Sequence, residues 1–98
     1  MIQYNISLFV EPSITEAAIR ALKNVIIPEI EKQSFIDQIH LFEISSHQES
    51  DSNGYSLQCW LPIFEEQHQE FIEGIVSDFF QKEFANQYVY FPSQLKRV

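Results

Sequence analysis

Positive charge is scarce in this chain. Six lysines and arginines stand against fourteen aspartates and glutamates, for a formal charge of −8 over 98 residues. A phosphate backbone is bound by clustered cations that release counterions, so nucleic acid is excluded as a partner, and an anionic membrane surface with it. Cysteine occurs once, as Cys59, so no internal disulfide forms and nothing depends on an oxidising compartment. Two glycines and four prolines are too few for a loop-rich or disordered chain. No apolar run is long enough to span a bilayer. Gln3, Asn5 and Ser7 interrupt the hydrophobic residues at the start, so a secretory signal is not expected and a cytoplasmic location is. What the chain does have is apolar mass: 45% hydrophobic residues, with nine Phe and four Tyr, enough for a single domain over residues 1–98.

The first ten residues alternate. Ile2, Tyr4, Ile6, Leu8 and Val10 share one face and Gln3, Asn5 and Ser7 the other, the period of a strand with one buried side. Ser13 to Glu16 reads as a capping box, opening a helix whose apolar stripe is Ile14, Ala18, Leu22, Val25 and Ile26. Pro28 is expected to kink that helix, since Ile30 continues the stripe beyond it. Phe35 to Ile44 follows as a second strand, with apolar residues on both parities. Ser45 to Gly54 is turn chemistry ending in Asn-Gly, a hairpin signal. In the third strand, Tyr55 to Ile63, Tyr55, Leu57, Cys59, Leu61 and Ile63 oppose Ser56, Gln58 and Trp60. The next helix carries Phe64, His68, Phe71, Ile72, Ile75 and Phe79 as its stripe, which places Phe71, Ile75 and Phe79 in the core. Tyr88 to Val98 is a fourth strand, and Pro92 suits it to an edge.

The order β-α-β-β-α-β is that of the ferredoxin-like α+β sandwich, a four-stranded antiparallel sheet with both helices on one face. The other face is then bare. It presents Gln3, Asn5, Ser7 and Phe9 beside Ser56, Gln58 and Trp60. The chain also resembles a small bacterial family of about a hundred residues, described only as a domain of unknown function, within the dimeric α/β-barrel group. The likeness rests on Met-Ile-Gln-Tyr-Asn-Ile at the start, Val10-x-Pro12-x-Ile14 and Ile27-Pro28-Glu29. It extends to the third strand around Gln58 and to Tyr88-Val89-Tyr90-Phe91. It implies a ferredoxin-like subunit that pairs through its sheet and forms a dimeric α/β barrel, and it implies no activity. The histidine that often precedes the Ile-Pro-Glu triplet in that family is Ile26 here, which removes histidine chemistry from that position.

The remaining candidates for chemistry are few. His68 lies on an apolar helix stripe, where a histidine bonded to backbone is the ordinary reading, and His47 falls in a solvated turn. His40 shares the parity of Phe42 and Ile44. The three do not combine with Cys59 at the spacing of a metal site, and no metal or cofactor is expected. Cys59 points toward the core and behaves as a small hydrophobe. The bare sheet face is therefore the place to look. Asn5 and Gln58 lie on neighbouring central strands, Trp60 offers a flat wall, and His40 is the nearest base. Two functions fit. One is a homodimeric binding or protein-interaction module, paired through that face. The other is a cofactor-independent oxygenase or isomerase-like enzyme acting on a small apolar ligand between two such sheets.

Overall fold

The computed structural model describes residues Ile2 to Val98. Its strands are β1 (Ile2–Val10), β2 (Gln38–Gln48), β3 (Asn53–Leu61) and β4 (Tyr88–Lys96). They form one antiparallel sheet in the order β2-β3-β1-β4. Helices α1 (Pro12–Ala21) and α2 (Ile27–Glu31), joined by a π turn at Leu22–Ile26, make the first crossover, and α3 (Glu66–Glu83) makes the second. This is the ferredoxin-like arrangement the sequence predicts, with β1 and β3 in the centre.

Alternation does what it should on the two central strands. Tyr4, Ile6, Leu8 and Val10 of β1 and Tyr55, Leu57, Cys59 and Leu61 of β3 are all buried. Against them pack Ile14, Ala18, Leu22, Ile26 and Ile30 from the first crossover and Ile72, Val76 and Phe80 from α3. The first of these series recurs every four residues. In a regular α-helix each such step drifts by about 40°, so a stripe that long would wander off the core. The π turn corrects the drift, because a wider turn rotates less per residue. Its mark is the Ile27 N–H, which donates to the Leu22 carbonyl five residues back. Pro28, which has no N–H and crowds the preceding turn, is therefore accommodated by local widening rather than by a break. Val25, expected on the stripe, is 44% exposed instead.

Several expectations shift once the packing is seen. The α1 N-cap is Glu11, without a side-chain cap, and Pro12 takes the first helical position; the Ser13–Glu16 capping box does not form. A reciprocal cap does occur on α3. The Glu65 side chain accepts from the His68 backbone N–H, and His68 Nδ1 accepts from the Glu65 N–H at 3.2 Å. The core face of α3 is Ile72, Val76 and Phe80, one residue on from the predicted Phe71, Ile75 and Phe79. Ile75 and Phe79 flank the core, whereas Phe71 is 37% exposed and meets Phe35 edge-on at 5.8 Å. β2 starts at Gln38, because Phe35 and Ile36 pack against the core from the preceding loop. The hairpin also turns earlier than Asn-Gly suggests. Glu49 to Ser52 make the turn, and Asn53 and Gly54 already belong to β3. His47, expected in solvent, is half-buried with its ring 4.6 Å from that of Phe9.

Candidate functional site

Cross-strand register fixes the membership of the sheet's helix-free face. Asn5 pairs with Gln58, Gln3 with Trp60 and Ser7 with Ser56, while His40 sits opposite Gln58 on its other side. Directly opposed residues share a face, so Asn5, Gln58, Trp60 and His40 all lie on it. β4 adds Leu95 beside Gln3, Ser93 beside Asn5, Phe91 beside Ser7 and Val89 beside Phe9. β2 contributes Phe42, opposite Ser56.

A polar ladder runs along the middle of this face. Gln3 Nε2 donates to Gln58 Oε1, and Gln58 Nε2 donates to Ser56 Oγ at 3.2 Å. The Ser56 hydroxyl donates to Asn5 Oδ1, and Asn5 Nδ2 donates to Ser7 Oγ at 3.0 Å. The bonds all run in one direction, each interior member giving one proton and taking one. Asn5 and Ser56 are each only 9% exposed, so the ladder is already half withdrawn from water. The two amides singled out from the sequence thus lie side by side, and both spend hydrogen bonds on their own sheet.

Around the ladder the face is apolar. Phe42, Val89, Phe91 and Leu95 are 50%, 53%, 59% and 47% exposed. Aromatic contacts gather at both ends. Phe9 meets His47 and Phe91 beyond Ser7, while His40 meets Trp60 and Phe42 near Gln3 and Gln58. His40 is exposed, and its Nε2 lies 2.9 Å from Gln38 Oε1. The Trp60 indole N–H is buried and has no acceptor among the described residues. Next to it opens a recess of about 510 Å³, lined by Gln3, Trp60, Leu95, Lys96 and Arg97. Of these five, sequence reasoning singled out only Trp60 as a ligand contact. The β4 partners escaped it because Pro92 and the mixed composition of that strand hide its parity.

On the helix side the titratable groups are sealed. Burial pushes the Cys59 thiol up to about 12, which keeps it protonated and unreactive. The Tyr4 hydroxyl is likewise raised, first by burial and then by the nearby Glu73 carboxylate, which accepts from Tyr90 Oη at 3.0 Å. Among the described residues no three histidine, cysteine or acidic side chains are grouped to hold a metal ion, and no helix is long and apolar enough to cross a membrane.

Residues 1–98 match the family described as a domain of unknown function, DUF4286. No curated protein matches the sequence significantly. Among solved structures the chain is similar to an ethyl tert-butyl ether D (EthD) family protein from Bacillus halodurans. The TM-score is 0.61 at 13% identity, covering 100% of both chains. A dimeric ferredoxin-like protein from an uncultured marine organism gives a TM-score of 0.58 at 7% identity, covering 99% of this chain and 95% of that one. The de novo designed protein Foldit4 gives 0.64 at 12% identity, covering 99% and 98%. That a designed chain shares the backbone shows how little function the fold itself conveys.

Proposed function

Because the chain belongs to the DUF4286 family, whose description names no activity, we propose its function from the sheet face: it is a homodimeric binding module whose two subunits pair sheet to sheet. One observation carries this reading. Three large apolar side chains, Phe42, Val89 and Phe91, are exposed on the same face and flank a polar centre that has bonded to itself. Exposed apolar surface of this kind marks an interaction site. The ladder removes the usual obstacle to covering it, since buried amides and hydroxyls are costly only when they lack partners. A second copy of the same face meets it by two-fold symmetry, apolar rim to apolar rim. The dimeric ferredoxin-like neighbour shows that this fold can associate in pairs.

Sedimentation at about 50 μM, a range where an ordinary obligate interface is formed, tests the pairing. The parent chain is expected to sediment as a dimer. Phe91→Glu, which sets a charge into the rim without touching the core, is expected to sediment as a folded monomer. A parent that is monomeric at that concentration overturns the reading.

A further inference from the structure

The geometry points to the recess at the Trp60 end of the sheet as a binding site for a small organic anion with a flat apolar body. This deepens the binding-module reading and rests on it. The recess joins the indole of Trp60 and the aliphatic Leu95 to the basic pair Lys96 and Arg97; the register sets the Lys96 side chain on the helix side, opposite Ile2, which leaves Arg97 as the cation of the lining.

The charges are the first argument. On a chain of net charge −8, Arg20 and Lys32 are paired with Glu16 and Glu29, while Lys23, Lys82, Lys96 and Arg97 form no ion pair among the described residues. What sets Lys96 and Arg97 apart is that they stand together at one recess whose described lining holds no carboxylate. Two other recesses differ. The one beside Phe9 and His47 carries Glu49 and Asp51, and the one at the start of α3 is walled by Glu65, Glu66 and Glu70. An anion approaching this protein meets a local field of the right sign at Lys96 and Arg97, where Arg offers its fork of donors to a carboxylate.

The wall is the second argument. The face of an indole attracts flat or apolar groups, and Leu95 extends that surface. Gln3 is held by its bond to Gln58, which fixes the polar edge of the recess. At about 510 Å³ the space is of the size that holds a small molecule.

Trp60 is the only tryptophan of the chain, so its fluorescence reports on the site directly. The probes are phenylacetate, its neutral isostere phenylacetamide, and inorganic phosphate as a charge without an apolar body. Phenylacetate is expected to change the emission saturably, with phenylacetamide and phosphate weaker by about tenfold or more. The Lys96→Gln/Arg97→Gln double variant is expected to lose the preference for phenylacetate over its amide. Lys96→Arg/Arg97→Lys, which keeps both charges, is expected to retain it. The inference is overturned by equal binding of acid and amide, by phosphate binding as well as phenylacetate, by an unchanged preference in the double variant, or by no saturable change at about 10 mM. Sedimentation of the same samples separates this failure from failure of the dimer, because the pairing is read without any probe.

Discussion

The ring of Phe9 lies across Gly54 on the neighbouring strand, so close that a Cβ at residue 54 would stand 2.9 Å from Phe9 Cε1. The glycine of the Asn-Gly pair is thus needed not to turn the chain but to seat an aromatic ring within the sheet. His47 and Phe91 meet that ring edge-on at 4.6 and 5.9 Å, which leaves it little room to withdraw. Gly54→Ala is expected to destabilise the protein by about 1–3 kcal/mol through overpacking. In a Phe9→Ala background the same change is expected to cost much less. A double-mutant cycle by urea unfolding measures the difference, and additive effects would refute the seating role.

The phase of α3 makes a second prediction. Phe80 is fully buried and Phe71 is 37% exposed, although both belong to the apolar arc of one helix. Phe80→Ala is expected to cost about 3–5 kcal/mol, enough to unfold much of a marginal domain, and Phe71→Ala about 1 kcal/mol. Urea midpoints of the two variants at equal protein concentration decide it, and a reversed order would return the core to the Phe71 face.

Within the ladder, Ser56 accepts from Gln58 on its own strand and donates to Asn5 on β1. Ser56→Ala leaves the Gln58 amide and the Asn5 carbonyl without their partners, at an expected cost of about 1–3 kcal/mol. Ser7→Ala removes only the terminal acceptor and is expected to cost about 1 kcal/mol or less. Unfolding should be followed at fixed protein concentration, because association is linked to stability.

Alkaline pH offers a test of the sealed side of the sheet. The free Cys59 thiol would release its proton near 9.0, whereas in the folded protein the value is pushed up to about 12. Between those values the unfolded chain loses the proton and the folded chain keeps it, so stability is full below the lower value and falls through the window. Tyr4, raised in the same direction, adds to the loss as its own free value is passed. Urea midpoints are therefore expected to hold up to about pH 9 and to fall from there toward about pH 12, and Cys59→Ala is expected to flatten the fall.

Those residues also show where the sequence is transparent. β1 and β3 could be read residue by residue, because one face packs on helices and the other carries short polar side chains, so the pleat is written directly as alternation. β4 could not. It is an edge strand whose helix-facing side includes Tyr88, Tyr90 and Pro92 and whose open side includes Val89, Phe91 and Leu95, so neither parity looks buried. In α3 two series one residue apart, Phe71-Ile75-Phe79 and Ile72-Val76-Phe80, are equally apolar, and only the position of the sheet chooses between them. At the candidate site, parity put Asn5, Gln58 and Trp60 on one face. That the amides bond to one another and to the serines of their own sheet, leaving the recess to Gln3, Leu95 and Arg97, depends on side-chain rotamers that no periodicity encodes.

The π turn ahead of Pro28 divides the first crossover into two stretches with separate angular frames. Length and rotation are usually traded together along a helix, one residue for about 100°. Here the wide turn sets the rotation of Ile30 independently of how many turns lie between it and Ile14. The turn is a helix holding one residue more than an α-helical step needs, so deleting one residue between Leu22 and Ile26 would close the five-residue hydrogen bond to the ordinary four and leave Ile30 facing the core. The same deletion within α1, where no residue is spare, would rotate everything beyond it by about 100°. This turn is where the crossover can lose a residue without changing its facing.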